Sequence, residues 1–124
     1  MKIHGEDHER TIRAASNYVG SLINLRRFEE AKSLIRRTIP VARRVLGKCD
    51  ILTLKMRWAD ARVLWGDDDA TLDDLREAVT RLEDVEPTAR RVFGSAHPLT
   101  EGIEDELRDA RAALRARETP ASSA

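Results

Sequence analysis

Pro40-Val41-Ala42-Arg43-Arg44-Val45-Leu46-Gly47 and Pro87-Thr88-Ala89-Arg90-Arg91-Val92-Phe93-Gly94 are two versions of one segment, set 47 residues apart. The agreement extends in both directions. Phe28-Glu29-Glu30-Ala31 stands 47 residues before Leu75-Arg76-Glu77-Ala78. After the shared glycines come Gly47-Lys48-Cys49-Asp50-Ile51-Leu52-Thr53 and Gly94-Ser95-Ala96-His97-Pro98-Leu99-Thr100, and Gly5-Glu6-Asp7-His8-Glu9-Arg10-Thr11 opens the chain in the same way. Gly and Thr keep a six-residue separation each time, and the glycines are 42 and then 47 residues apart. Self-similarity at such a period marks a stack of supersecondary units, each too small to bury its own apolar face. The five extra residues of the second unit fall between about Gly66 and Leu75, where Asp67-Asp68-Asp69 reads as a loop insertion.

Each unit reads as two helices. Ile12, Ala15, Val19, Leu22 and Ile23 recur at helical spacing in the first, and Phe28, Ala31, Leu34, Ile35, Ile39 and Ala42 do so over about 28–44. A third helix over about 51–65 carries Leu54, Trp58, Ala61, Leu64 and Trp65, and a fourth beginning near Thr71 uses Leu72, Leu75, Val79 and Leu82. The last, about 98–117, turns Ile103, Leu107, Ala110 and Leu114 inward. No β-branched run alternates with polar residues, so no sheet is expected. Each joint glycine suits the left-handed backbone that ends a helix. Asp50 is placed to cap the third helix, His8 and His97 hold the same place in the other units, and Pro98 fits a first helical turn. Pro40 and Pro87, at one shared position, predict a repeated bend in the second helix of each unit.

Charge is divided unevenly. Residues 1–62 sum to +7 and residues 63–124 to −7, so the net charge of zero hides a bipolar chain. Such a chain can pair its own ends, stack with a copy, or simply present solvated helix faces. Cys49 is the single cysteine, which excludes an intrachain disulfide and fits a reducing, cytoplasmic setting. The N-terminus has no apolar signal-peptide core, and no 18 apolar residues run together to span a membrane.

His8 through Lys32, with Asn17 and Phe28-Glu29-Glu30-Ala31, resembles the tetratricopeptide repeats of kinesin light chains, whose 42-residue length equals the first interval here. In that family a G-x-x-H-P-x-x-T joint leads into a helix bearing N-N-L-A, then G-[KR]-[YF]-E-E-A; His97-Pro98 restates the joint. The chain departs from the pattern at Arg26, where the family usually has glycine, at Ser16, which replaces the first Asn, and at Ala59, which stands where the first unit has Asn17. The resemblance implies an all-α, right-handed α–α superhelix of stacked helix-turn-helix repeats, about 2.5 repeats in five helices. The domain would span 1–118, with repeats at about 5–46 and 47–93 and a half repeat at about 94–118, followed by a flexible tail over 119–124.

It also implies a groove, lined by the first helix of each unit, for a peptide segment of a partner protein. By position the partner-binding candidates are Arg13, Ser16, Asn17, Gly20 and Asn24, then Lys55 and Arg62 with Trp58 or Trp65, then Asp105, Glu106 and Asp109. Asn17 can donate and accept to a partner's backbone or to a neighbouring helix. Arg13 and Arg62 match carboxylates, and the two tryptophans serve either the core or the groove.

Chemistry of other kinds finds little support. His4, His8, His97 and Cys49 lack zinc-motif spacing, and the run from Asp67 to Ala78 lacks the glycine and closing glutamate of a calcium loop. No phosphate-binding Gly-rich loop or nucleophile elbow is present. The pairs Arg26-Arg27, Arg36-Arg37 and Arg43-Arg44 form a basic strip, but without interleaved aromatics and with an acidic second half they argue weakly for nucleic acid. The expectation is a non-enzymatic, cofactor-free interaction module or scaffold. The alternative is a fragment that self-assembles, basic half to acidic half, as a homo-oligomer.

Overall fold

The computed structural model describes residues 3–118, so the tail expected over 119–124 lies outside the described residues. Among these residues the chain is all-α, with five helices and no strand: α1 (Ile3–Asn24), α2 (Phe28–Leu46), α3 (Ile51–Trp65), α4 (Leu72–Phe93) and α5 (Pro98–Glu118). Among the described residues no helix is long and apolar enough to cross a membrane.

Each joint is built by local chemistry. The Leu52 amide donates to Asp50 Oδ1 (2.9 Å), and the Leu99 amide donates to His97 Nδ1 (3.0 Å), so both residues cap the helices that follow them. Gly47 and Gly94 take φ +94° and +92°, where any Cβ would be strained. The first joint differs from the expectation. Gly5 and His8 lie inside α1, which already begins at Ile3. In place of a turn the helix runs through both residues.

The insertion after α3 is only partly a loop. The connection over 66–71 is longer than its counterpart over 25–27, but α4 also gains an extra first turn ahead of Leu75. Thr71 Oγ1 accepts from the Asp74 amide (3.1 Å) while Asp74 Oδ2 accepts from the Thr71 amide (2.9 Å), a reciprocal capping box. Asp73 and Asp74 add negative charge at the helix start, where the dipole favours it. These residues therefore fold as helix. Pro40 and Pro87 sit inside α2 and α4, which both continue through them as single elements. Both prolines are exposed, so solvent can take the carbonyl each leaves without a donor.

Helices α1, α3 and α5 stand side by side, α2 packs against α1 and α3, and α4 packs against α3 and α5. Val19, Leu22, Ile35, Met56 and Val63 fill the space between α1, α2 and α3; Leu54, Leu82, Ile103 and Ala110 fill that between α3, α4 and α5. A third group, Ile12, Ala42 and Leu52, closes one end. Each fully buried aliphatic side chain contributes about 2 kcal/mol from apolar area removed from water. Central α3 supplies residues to all three groups, which a single apolar stripe does not convey: Leu52, Met56 and Val63 are as buried as Leu54 and Ala61.

Candidate functional site

The face made by α1, α3 and α5 carries two adjoining depressions of about 240 and 530 Å³ that share Ile23, Asn24 and Arg62. Their position follows from the helix register. On α1, Ser16, Gly20 and Asn24 recur at i, i+4 and i+8, so they form one rim beside the core stripe of Val19 and Ile23. On α3, Lys55 and Arg62 are seven residues apart and form the facing rim. Val19, Ile23, Ala59 and Trp58 line the floor.

Trp58 is held from beneath. Its ring lies on Gly102 of α5, where an added Cβ would come within 2.9 Å of Cζ2. The tryptophan is half-buried, packed against the α3–α4–α5 core, and its indole N–H has no acceptor among the described residues. Trp65, also half-buried, donates through Nε1 to Glu106 Oε2 (2.7 Å) and so ties α3 to α5 in the second depression. Both tryptophans therefore do both things the sequence left open: they pack the core and line the face.

The charges divide along this face. Lys55 and Arg62 are exposed and have no carboxylate partner among the described residues. Across the second depression stand Glu106 and Asp109 of α5. At its mouth Arg26 reaches Asp68 (3.0 Å) and lies over the Phe28 ring, 5.2 Å from its centroid. The arginines with displaced pKa values lie elsewhere. Burial works against the charge of Arg81, but Glu77 and Asp60 outweigh it and hold the guanidinium above its ordinary range. The hydrogen bond from Arg90 to Glu104, with Glu86 alongside, does the same for Arg90.

The residues proposed from sequence do not all gather here. Ser16, Gly20, Asn24, Lys55, Trp58, Arg62, Trp65, Glu106 and Asp109 line the two depressions. Arg13 is not among the lining residues and donates to Glu9 (3.0 Å) one turn back on α1. Asn17 is exposed, on the side of α1 opposite its buried residues Ile12, Val19 and Leu22. Asp105 pairs with Arg108 (3.0 Å) on the outer surface. Apart from Trp58, the apolar floor was not singled out by sequence, nor was the Arg26–Phe28 mouth. Their signal was present only as adjacency, since Val19 and Ile23 neighbour Ser16, Gly20 and Asn24 on the helix surface.

The histidines and the cysteine are dispersed. His97 caps α5 and packs on Phe93 with ring centroids 4.8 Å apart, His8 lies in α1, and half-buried Cys49 sits in the joint before α3. No family model, curated protein or solved structure matches the chain.

Proposed function

We propose that this chain is a non-catalytic interaction module, of tetratricopeptide-like right-handed superhelical form, that holds a peptide segment of a partner protein along the α1–α3–α5 face. One observation carries the reading: an apolar floor of Val19, Ile23, Ala59 and Trp58 lies between uncommitted polar side chains, Ser16 and Asn24 on one rim and Lys55 and Arg62 on the other. Such a surface rewards an apolar anchor and selects a carboxylate beside it. The pairing of helices, with α1, α3 and α5 in one row, supports the repeat reading. A reducing compartment, the cytoplasm, suits the unpaired thiol of Cys49.

Head-to-tail stacking of copies meets a specific obstacle. The repeat spacing matches Leu52, Thr53, Met56 and Val63 of α3 to Leu99, Thr100, Ile103 and Ala110 of α5, and all eight are buried. The corresponding residues of α1 are Arg10, Thr11, Ala14 and Ser21, all exposed. A further unit laid on that side would cover the charge of Arg10 and the hydroxyl of Ser21 where α3 and α5 bury aliphatic groups.

The test is selection of peptides from a random display library on the folded protein, then titration of the best binder. Lys55→Glu/Arg62→Glu should weaken it by about tenfold or more, the loss of two charge-assisted contacts. Arg13→Glu and Asn17→Ala, which lie outside the depressions, should leave it unchanged. Equal binding by all four proteins would remove the assignment.

A further inference from the structure

On the other side of α3 the surface has a different character. Between Glu30 and Asp50 the chain has no carboxylate and six cations: Lys32, Arg36, Arg37, Arg43, Arg44 and Lys48. Glu29 matches Lys32 (3.3 Å), but the four arginines of α2 are exposed and have no partner among the described residues. The equivalent stretch of α4 shows what a closed network looks like. Where α2 has Arg36 and Arg37, α4 has Glu83 and Asp84, bound to Arg111 (2.8 Å) and Arg57 (2.7 Å). Arg90, the counterpart of Arg43, lies between Glu86 and Glu104. Around Arg43 those two positions are Ile39 and Arg57. The charge ring that is complete between α4 and α5 is open between α2 and α3. The helix dipole accounts for cations in the last turn, Arg43 and Arg44, but gives nothing to Arg36 and Arg37 at mid-helix.

Beside these arginines runs a trough from α2 over α3 to α4, made of two depressions of about 250 and 270 Å³ that meet at Ile39, Asp60 and Arg81. Ile39, Pro40 and Leu64 give it an apolar floor. Its two carboxylates are already neutralised, Asp60 by Arg81 and Asp84 by Arg57. Arg36 and Arg43 remain as uncompensated charge along one wall, two helical turns and about 10 Å apart.

We propose that this trough docks an acidic, amphipathic segment of a partner protein, distinct from the peptide held on the α1–α3–α5 face. Carboxylates seven residues apart on a partner helix match the spacing of Arg36 and Arg43, with aliphatic residues between them over Ile39 and Leu64. A nucleic-acid strand fits less well. No aromatic ring lines the trough for a base to stack on, and the apolar floor offers nothing to a phosphate backbone.

The probe is a fluorescein-labelled helical peptide of about a dozen residues, three helical turns, with Glu at i and i+7 and Leu between. Anisotropy at low salt should show binding to the wild-type chain, weakened by about tenfold or more in Arg36→Glu/Arg43→Glu and falling as salt screens exposed charges. Losing the favourable dipole contact of Arg43 should lower the thermal melt of this variant by no more than a few degrees with the fold kept, and the affinity of Arg36→Gln/Arg43→Gln should lie between wild type and the glutamate variant. The Ile39 methyl resonance should move on titration. Because Lys55 and Arg62 are also seven residues apart beside an apolar floor, the titrations are repeated in the Lys55→Glu/Arg62→Glu background, where the loss caused by Arg36→Glu/Arg43→Glu should persist, so failure of the α1–α3–α5 reading would leave this one intact. No binding by wild type, equal binding by Arg36→Glu/Arg43→Glu, or tighter binding of an oligothymidylate of equal charge would overturn the proposal.

Discussion

Arg26 takes φ +60° where the chain leaves α1, and it does so with the hydrogen bonds of a helix terminator: the Arg27 amide donates to the Leu22 carbonyl (2.8 Å) and the Arg26 amide to that of Ile23 (2.9 Å). The left-handed turn that favours glycine is therefore kept although glycine is absent. The side chain offsets part of the cost through Phe28 and Asp68. Arg26→Gly and Arg26→Ala lose the same contacts and differ only in the backbone penalty. The glycine variant should be the more stable by about 1 kcal/mol in urea melts, and equal stabilities would show that the turn is unstrained. At this scale the sequence was legible where a residue acts on its own backbone: Asp50, His97 and Pro98 do what their types dictate. It was less legible where direction matters. Asn17 and Asn24 are the same residue type seven apart and only about 20° apart around one helix, yet only Asn24 lines the face between α1 and α3, because it ends α1 beside Arg26, Phe28 and Arg62 while Asn17 lies two turns back.

Among the elements, α3 is the one whose periodicity says least, since it is buried against neighbours on several sides and its apolar residues form no single stripe. Amphipathic α2 and α4, each covered on one side only, could be read directly from their spacing. The start of α4 near Thr71 was legible too, although the insertion it belongs to reads as a loop until Thr71 is recognised as the partner of Asp74. That capping box is exposed, so its contribution is local and measurable. Thr71→Ala should cost about 1 kcal/mol by thermal or urea denaturation, and Thr71→Ser should restore most of it. A neutral Thr71→Ala would mean the extra turn is held by packing of Leu72 and Leu75 instead.

For the whole molecule, the row of α1, α3 and α5 sets the long-range pattern. The period could not reveal which units bury which faces, since that depends on a neighbour. The exposed side of α1, with Arg10, Thr11, Ala14 and Ser21 where α3 and α5 place buried groups, argues that the +7 and −7 halves do not pair between copies by stacking. Light scattering should accordingly give the mass of one chain at both low and high ionic strength. A dimer that dissociates with added salt would contradict this, since exposed charge pairing is screened within about 10 Å at 0.1 M. The most direct test of the central claim maps a selected peptide onto the molecule by NMR titration. The methyl resonances of Val19, Ile23 and Ala59 and the indole resonance of Trp58 should shift together and saturate at one peptide per chain. Shifts confined to other surfaces, with these four unmoved at saturation, would contradict it.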